Sequence, residues 1–180
     1  METEKSIFGR RSVRSYLDKP VPQEVVEKIL KAGAMAPSAM DKQPCRFIII
    51  SDKGKIKMLS EKVKGKIASS GLLAGFAARM KSDQDVIFHG APLLILVVAE
   101  KNEWAAIDCS LAAQNMMLQG YDLGLGSCFI GFARIFLDSG ALGEVGVSKT
   151  QELFCPLIFG YPKEWPKPKD REANVQKRFE

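Results

Sequence analysis

The longest apolar pattern in the chain runs from residue 105 to residue 121. Nearly every residue there is small or apolar, Asp108 is the only charge, and no proline interrupts the run, which is typical of a helix without a solvated face. A chain of 180 residues has few other elements with which to cover such a helix on all sides. The pattern therefore predicts a long buried central helix, part of whose surface meets a second copy of the chain in a homodimer.

Three other apolar runs predict buried strands, and they cover residues 46–51, 93–99 and 152–161. A shorter β-like run, 127–130, follows the long helix. Gly124 and Gly126 are expected to end that helix, and Gly131 closes the short strand. Glycines gathered in this way suit the close approach of a flat cofactor, and they suit tight packing alone about equally well.

The remaining segments predict helices of different kinds. Residues 23–34 have the apolar spacing of an amphipathic helix, the first eight residues resemble a short helix, and 53–66 form a lysine-rich surface helix. One or two helical turns are expected within 132–142, and Asn102 is a candidate N-cap of the long helix. Residues 68–81 are weakly patterned, and the basic, proline-punctuated tail after Pro162 should lie on the surface. Strands and long helices in mixed order predict one α+β domain over residues 1–180.

Composition narrows the class of protein without naming a function. Hydrophobic residues make up 46% of the chain and charged residues 26%, as in ordinary globular proteins. No run reaches the roughly 20 apolar residues of a membrane span, and the first residues lack a secretory apolar core, so we expect a cytoplasmic protein with no membrane partner. The net charge of +5 suits an anionic ligand such as a phosphate and does not by itself indicate nucleic acid.

The cysteines and the single histidine restrict the chemistry further. Cys45, Cys109, Cys128 and Cys155 are widely spaced in apolar contexts, which favours buried thiols over disulfides or a metal site. One histidine, His89, cannot build a histidine-rich metal site and weakens any nucleophile that depends on histidine. If the chain is an enzyme, a cofactor is expected to carry the reaction.

Two segments contain candidate binding residues. Arginines and serines alternate closely through 10–16, and guanidinium groups with hydroxyls are the donors that bind phosphate oxygens. A solvated basic turn is the alternative. The loop 36–44 is polar and carries two prolines, and loops of this kind often carry function.

Five motifs, taken in order, resemble the FMN-dependent nitroreductase family. They are GRRSVRSY, APSAMDKQPCRF, GAPLLILVVA, the long helix with GLGSCFIG, and LIFGYP, and together they extend over most of the chain. The resemblance implies a nitroreductase-like α+β fold, in which helices flank a mixed, largely antiparallel sheet. It also implies a homodimer with FMN bound in the interface.

The resemblance assigns candidate residues to each part of the FMN. For the phosphate and ribityl chain they are Arg10, Arg11, Ser12 and Arg14. From the neighbouring subunit they are Pro37, Ser38 and Ala39, and Gln43 of the same loop is a further cofactor-binding candidate. Beside the N5 edge of the flavin they are Ile130 and Gly131. Near the C-terminus they are Lys169 and Arg171, with Lys177 and Arg178 as the competing pair.

Two positions depart from the family pattern. Asp41 stands where the family usually has asparagine, and a carboxylate cannot donate hydrogen bonds as an amide does. Cys45 replaces a tryptophan that often follows the Gln-Pro pair, so we expect a different pocket wall.

The implied activity is an FMN-dependent oxidoreduction. NADH or NADPH would reduce FMN and leave, and a small flat acceptor such as a nitroaromatic or quinone would then take the electrons in a ping-pong reaction. The alternatives are a flavin-binding redox sensor with little turnover, and a family member with diverged chemistry such as dehalogenation or flavin cleavage. Nucleic-acid binding is disfavoured because the lysines lack interleaved aromatic residues. A dinucleotide-binding turn is disfavoured because Gly124 and Gly126 follow a helix.

Overall fold

The computed structural model describes residues 3–70, 80, 84–167 and 171–179. Within these residues the helices are α1 (Thr3–Gly9), α2 (Gln23–Ala34), α3 (Lys53–Ser70), α4 (Ala105–Asp122), α5 (Gly131–Phe136) and α6 (Ser139–Gly143). A short 3-10 helix spans Ala39–Asp41. The strands are β1 (Arg46–Ile50), β2 (Leu93–Glu100), β3 (Gly126–Phe129) and β4 (Gln151–Gly160).

The four strands form one sheet in the order β1-β2-β4-β3, and every neighbouring pair is antiparallel. This arrangement confirms the predicted α+β class with a largely antiparallel sheet. Gly124 and Gly126 join α4 to β3, so they do not form the strand-to-helix turn that binds dinucleotides.

Strand β2 is buried on both faces, which explains its uninterrupted apolar sequence. Successive side chains of a strand point to opposite faces. Leu93, Ile95 and Val97 belong to the core that includes residues of α2 and α4. The alternating set, from Leu94 to Val98, belongs to the core that includes residues of α3, α5 and α6. The sheet therefore lies between two layers of helices.

Helix α4 has one buried side and one exposed apolar side. Cys109, Ala113 and Met116 are buried in the core shared with β2 and β4. On the other side Ile107 is 52% exposed and Leu111 is 42% exposed. The predicted helix is confirmed, and the chain itself covers only part of it; its burial by a second copy stays a prediction.

Several element boundaries differ from the predictions. Helix α3 extends to Ser70 because apolar residues keep facing the core through Ile67. Residues 132–142 contain two helices, and the second begins where the Asp138 side chain accepts a hydrogen bond from the Ala141 N–H. The described tail residues are exposed, as predicted. Of the segment 68–81, residues 71–79 and 81 lie outside the described residues.

The prediction that Asn102 caps α4 is wrong. The helix begins at Ala105, and Trp104 occupies the cap position without a side-chain bond. Asn102 Oδ1 instead accepts the Trp104 N–H at 2.9 Å. Asparagine favours such local turns as readily as helix caps, and sequence alone does not distinguish the two.

None of the described helices combines the length and the apolar character that crossing a bilayer requires.

Gly126 provides a test of how the N-terminal segment packs on β3. A Cβ at this position would lie 2.6 Å from Val13 Cγ2 and 2.7 Å from Val13 Cβ. Because such overpacking forces a backbone shift, we expect Gly126→Ala to lower the free energy of unfolding by about 1 to 3 kcal/mol, measured by urea denaturation.

Gly65→Ala is the matched control for this substitution. Gly65 lies inside α3 with nothing within 4 Å of its added Cβ, so alanine should stabilise the helix by up to about 1 kcal/mol. Equal effects of the two substitutions would show that the contact with Val13 does not limit position 126.

Candidate functional site

The arginine-rich segment is an extended arm, residues 10–17, that lies along the edge strand β3. The Val13 N–H donates to Ser127 O at 3.0 Å, and Ser12 pairs with Ser127 in an isolated parallel bridge. Farther along the arm, the Leu17 N–H donates to Tyr161 O at 2.8 Å. We call this segment the N-terminal arm. Its backbone is fixed to the sheet at two places.

Two buried side chains anchor the arm. Val13 is 1% exposed and Tyr16 is 5% exposed. The Tyr16 hydroxyl donates to Val13 O at 2.7 Å. Burial raises the pKa of Tyr16 well above its ordinary value of 10.0, so the donated proton is retained. Apolar and neutral contacts hold the arm, and its arginines are not needed to attach it.

The arginines of the arm concentrate positive charge, and no carboxylate of the described residues forms an ion pair with them. Burial lowers the pKa of Arg10, and the nearby positive charges of Arg171 and Arg11 lower it further. None of the ion pairs among the described residues involves an arginine. A partly buried group of like charges favours an anionic ligand, because an anion relieves their repulsion.

Two buried polar atoms beside the arm lack a hydrogen-bond partner. They are Arg11 Nε and Ser127 Oγ, and Ser127 is 1% exposed. Arg11 uses its Nη1 atom for the carbonyls of Phe8 and Arg10, at 2.6 and 2.7 Å, so part of this side chain fixes the end of α1. Buried polar atoms are normally paired. These two atoms can donate hydrogen bonds, and the arginines near them form no ion pair among the described residues. Such a group of donors fits a ligand with several acceptor oxygens, such as a phosphate.

A cavity of about 360 Å³ opens where β3 ends and α5 begins. Its lining brings together three of the predicted residues with several that the sequence did not indicate. The predicted residues are Arg14, Ile130 and Gly131, and the others are Met80, Val86, Ile87, His89, Phe129, Phe132 and Ile135. We call this the β3 cavity.

The backbone at the β3 cavity is held by the neighbouring strand. The Ile130 N–H donates to Pro156 O at 2.9 Å, which fixes the turn from β3 into α5. A Cβ added to Gly131 would meet nothing within 4 Å, so the space beside this residue is open. The glycines were expected either to allow tight packing or to leave space for a cofactor. Gly126 allows tight packing against Val13, whereas Gly131 borders open space. His89 lines the cavity with a positive φ of 57°.

The environment of Cys128 connects the arm to β3. Burial raises the pKa of the Cys128 thiol, and Arg14, the Ser12 hydroxyl and Arg10 act in the opposite direction. Ser12, Arg10 and Arg14 therefore lie close to the same thiol. The structure brings these predicted phosphate-binding residues together on one side of β3.

The second group of predicted residues lies elsewhere in the chain. The loop that contains Pro37, Ser38 and Ala39 lines a different cavity, of about 450 Å³, with the exposed side of α4. The two cavities have no lining residue in common. Among the described residues, these two cavities therefore do not bring the loop and the N-terminal arm together.

Local hydrogen bonds hold the loop on α4. The Ala39 N–H donates to the buried carboxylate of Asp108 at 3.1 Å, and the Gln43 N–H donates to Ser38 Oγ at 2.9 Å. The Gln43 side chain donates to Asp41 Oδ1 at 3.0 Å. Asp41, which departs from the family pattern, therefore acts as an acceptor inside the loop. The sequence singled out Asp108 as the only charged residue of the apolar helix, and the structure shows that its carboxylate accepts the hydrogen bond that holds the loop.

The C-terminal candidates separate into two groups. Lys169 lies outside the described residues. Arg171 is close enough to Arg10 to lower its pKa. Lys177 lies instead over the Phe179 ring, 4.5 Å from its centroid, and Arg178 is exposed. Arg171 therefore lies near the N-terminal arm, and the choice between the two C-terminal pairs stays a prediction.

All four cysteines are free thiols. The prediction of buried thiols is confirmed for Cys109, Cys128 and Cys155, whereas Cys45 is only partly buried. Cys45 Sγ lies 3.6 Å from Cys109 Sγ. The sequence showed no sign of this pairing, because 64 positions separate the two residues.

Comparison with known proteins identifies relatives over most of the chain. The model of the nitroreductase family matches residues 7–161. A protein from Archaeoglobus fulgidus with the provisional name NADH dehydrogenase/NAD(P)H nitroreductase is 32% identical, over 89% of this chain and 85% of its own. An FMN reductase [NAD(P)H] from Bacillus subtilis is 31% identical over 74% of this chain and 55% of its own.

Solved structures show the same fold. A nitroreductase from Bacteroides fragilis, crystallised with bound FMN, superposes with a TM-score of 0.87. The two sequences are 30% identical, and the match covers 99% of this chain and 98% of the other.

Proposed function

Since the chain belongs to the nitroreductase family, we propose that it is a single-domain flavoprotein oxidoreductase. It binds FMN and transfers electrons from NADH or NADPH to a small flat acceptor, such as a nitroaromatic or a quinone. One observation carries the proposal for this chain. Arg11 Nε on the N-terminal arm and Ser127 Oγ on the strand beside it are buried without a hydrogen-bond partner, and Arg14 of the same arm lines the β3 cavity together with Ile130 and Gly131.

The proposal assigns the FMN phosphate to the N-terminal arm. Arg10 and Arg171 supply charge, Arg11 supplies its unpaired Nε, and Ser12 adds a hydroxyl on the same side of β3. Guanidinium groups are suited to this task because they donate two parallel hydrogen bonds to phosphate oxygens and remain charged at all relevant pH values. Lys169 stays a candidate on the resemblance alone.

The β3 cavity is the proposed place for the reacting ring and its partners. When bound, FMN supplies the redox chemistry that the side chains lack, since it accepts a hydride and passes electrons on. The apolar walls from Ile87, Phe129 and Phe132 would limit the access of water, and Ile130 and Gly131 would hold the ring with their backbone. Arg14, which also lines the cavity, would stabilise the negative charge that develops on reduction. One opening serves reductant and acceptor in turn, so we propose ping-pong kinetics.

We also propose that the functional unit is a homodimer. The exposed apolar side of α4, with Trp104, Ile107 and Leu111, is continuous with the loop that contains Pro37, Ser38 and Ala39. Exposed apolar surface of this kind marks an interaction site. A second copy seated here would cover the helix, and it would bring this loop and Gln43 to the arm and the β3 cavity of its partner.

The first prediction for this function concerns the cofactor and its reductant. The purified protein should be yellow, with about one FMN per chain, and anaerobic addition of NADH or NADPH should bleach the flavin. A nitroaromatic or quinone should then restore the colour, and initial rates at several acceptor concentrations should give parallel double-reciprocal lines. Bound FMN without bleaching would indicate the redox-sensing alternative, and a protein that binds no FMN would overturn the proposal.

The second prediction tests the phosphate site. Arg10→Ala and Arg171→Ala should each raise the FMN dissociation constant about ten- to hundredfold, because a charge-assisted hydrogen bond contributes about 1.5 to 3 kcal/mol. Fluorescence titration of apoprotein with FMN gives the constants. Arg178→Ala is the matched control and should leave the affinity within about twofold. A large loss in Arg178→Ala with none in Arg171→Ala would transfer the assignment to the competing pair.

The third prediction tests the homodimer. A glutamate at position 107 would place a charge in the proposed apolar contact, so Ile107→Glu should give a monomer with weakened FMN binding. Mass in solution is measured by light scattering at micromolar concentration. Ala113 is unsuitable for this test because it is 2% exposed and faces the core of its own chain.

Ala68→Glu is the control for added charge. Ala68 is exposed on α3 and belongs neither to the exposed apolar side of α4, nor to the 36–44 loop, nor to the N-terminal arm, so this variant should remain dimeric. A wild-type protein that is monomeric yet fully loaded with FMN would contradict the interface.

A further inference from the structure

Cys45 and Cys109 form a thiol pair that the proposed electron transfer does not use. Their Sγ atoms lie 3.6 Å apart, and both cysteines are free. A disulfide has a bond length of about 2.05 Å, so a shift of roughly 1.5 Å joins the two sulfur atoms. Cys128 lies beside the N-terminal arm. Cys155 lies on β4 in the same core as Cys109, and its proximity contributes to the raised pKa of Cys109.

We propose that Cys45 and Cys109 are a redox modification site, at which hydrogen peroxide converts the two thiols into a reversible disulfide that fastens the 36–44 loop to α4. The inference concerns the thiols and this loop alone. It does not depend on whether FMN binds.

The position of the pair explains why a bond there would act on the loop. Cys109 directly follows Asp108, whose carboxylate accepts the Ala39 N–H at 3.1 Å. Cys45 directly precedes β1, which begins at Arg46. The contacts at Asp108 and Cys109 therefore attach both ends of the segment 39–45 to one turn of α4. A disulfide would make the second attachment covalent.

The two thiols differ in access and in protonation, as an attacking and a resolving cysteine must. Cys45 is partly exposed, whereas Cys109 is 0% exposed. The hydrogen bond with Cys109 lowers the pKa of Cys45 and outweighs burial and the nearby Asp108 carboxylate, which both raise it, and the Arg46 charge lowers it further. The same hydrogen bond, together with burial, raises the pKa of Cys109. We therefore assign Cys45, the more accessible thiol, as the attacking cysteine and the buried Cys109 as the resolving cysteine.

The oxidation proceeds in two balanced steps. The Cys45 thiolate attacks one peroxide oxygen, the O–O bond breaks, and a sulfenic acid forms while hydroxide leaves and takes up a proton as water. Cys109 sulfur then attacks the Cys45 sulfur, the S–O bond breaks, and the departing hydroxide combines with the Cys109 proton as a second water. Two thiols lose two electrons in total, and one peroxide gains them. A thiol reductant reverses the change by exchange.

The test uses the full-length reduced protein in its native assembly. It is treated with a few equivalents of hydrogen peroxide, quenched with a maleimide and analysed by mass spectrometry. Wild type should lose two of its four thiols and give one cross-linked peptide that joins Cys45 to Cys109 within a chain. Dithiothreitol should restore all four. The rate should rise with pH and level off below the ordinary thiol pKa of 9.0.

Matched alanine variants assign the roles. Cys155→Ala is the control: burial raises the pKa of this thiol to about 11, and the variant should cross-link as wild type does. Cys45→Ala should lose no thiols. Cys109→Ala should stop at a sulfenic acid on Cys45, which dimedone traps. Oxidised wild type should melt at least about 4 °C above the reduced form, and Cys45→Ala should show no such shift.

Three outcomes would overturn the proposal. They are a wild type that keeps all four thiols, a cross-link that involves Cys155 or joins two chains, and a disulfide that leaves the melting temperature unchanged. The peptide analysis is made on wild type, so the proposal is decided even if Cys109→Ala fails to fold.

Discussion

Burial of β2 and β4 on both faces is the constraint on which the rest of the structure depends. Leu94 and Ile95 face opposite cores, and each is 0% exposed, so the sheet is stable only with helices on both sides. The pairing of β2 with β4 shifts register between Val97 and Val98, close to Pro156. The Pro156 carbonyl then receives the Ile130 N–H. The position of Pro156 in the central strand pair thereby fixes the turn at Ile130, where β3 ends and the β3 cavity begins.

In the N-terminal arm, the residues that attach the arm to the sheet differ from the arginines that are proposed to bind the ligand. Val13 and Tyr16 anchor the arm through apolar burial and one hydrogen bond, and Gly126 allows Val13 to approach. The arginines between and before these anchors are therefore available to a ligand. Like charges placed together without acids reduce the stability of the folded chain. Such an arrangement is understandable where a bound anion compensates for the charge.

Helix α4 links the two halves of the proposed site. Its inner side completes the core with Cys109 and Met116, and its outer side presents Ile107 and Leu111. Asp108 and Cys109 hold the adjoining loop on the same turn. The surface proposed to contact a second copy and the thiol pair therefore lie on the same helix. A disulfide between Cys45 and Cys109 would restrict the position of the loop beside that surface.

The sequence by itself determined the elements whose burial pattern is unambiguous. The runs 93–99 and 105–121 could be assigned because a continuous apolar stretch has to be covered, and their lengths separate strand from helix. The family motifs predicted Arg10, Arg14, Ile130 and Gly131 as site residues; three of them line one cavity, and their role stays a prediction. Only the tertiary structure decided which distant groups meet. Cys45 contacts Cys109, and Arg171 lies near Arg10. The absence of a side chain at Gly126 leaves room for Val13, and Asn102 forms a local turn and does not cap α4. These contacts join residues far apart in the chain, or choose between local hydrogen bonds of similar energy, and periodicity contains no information about either.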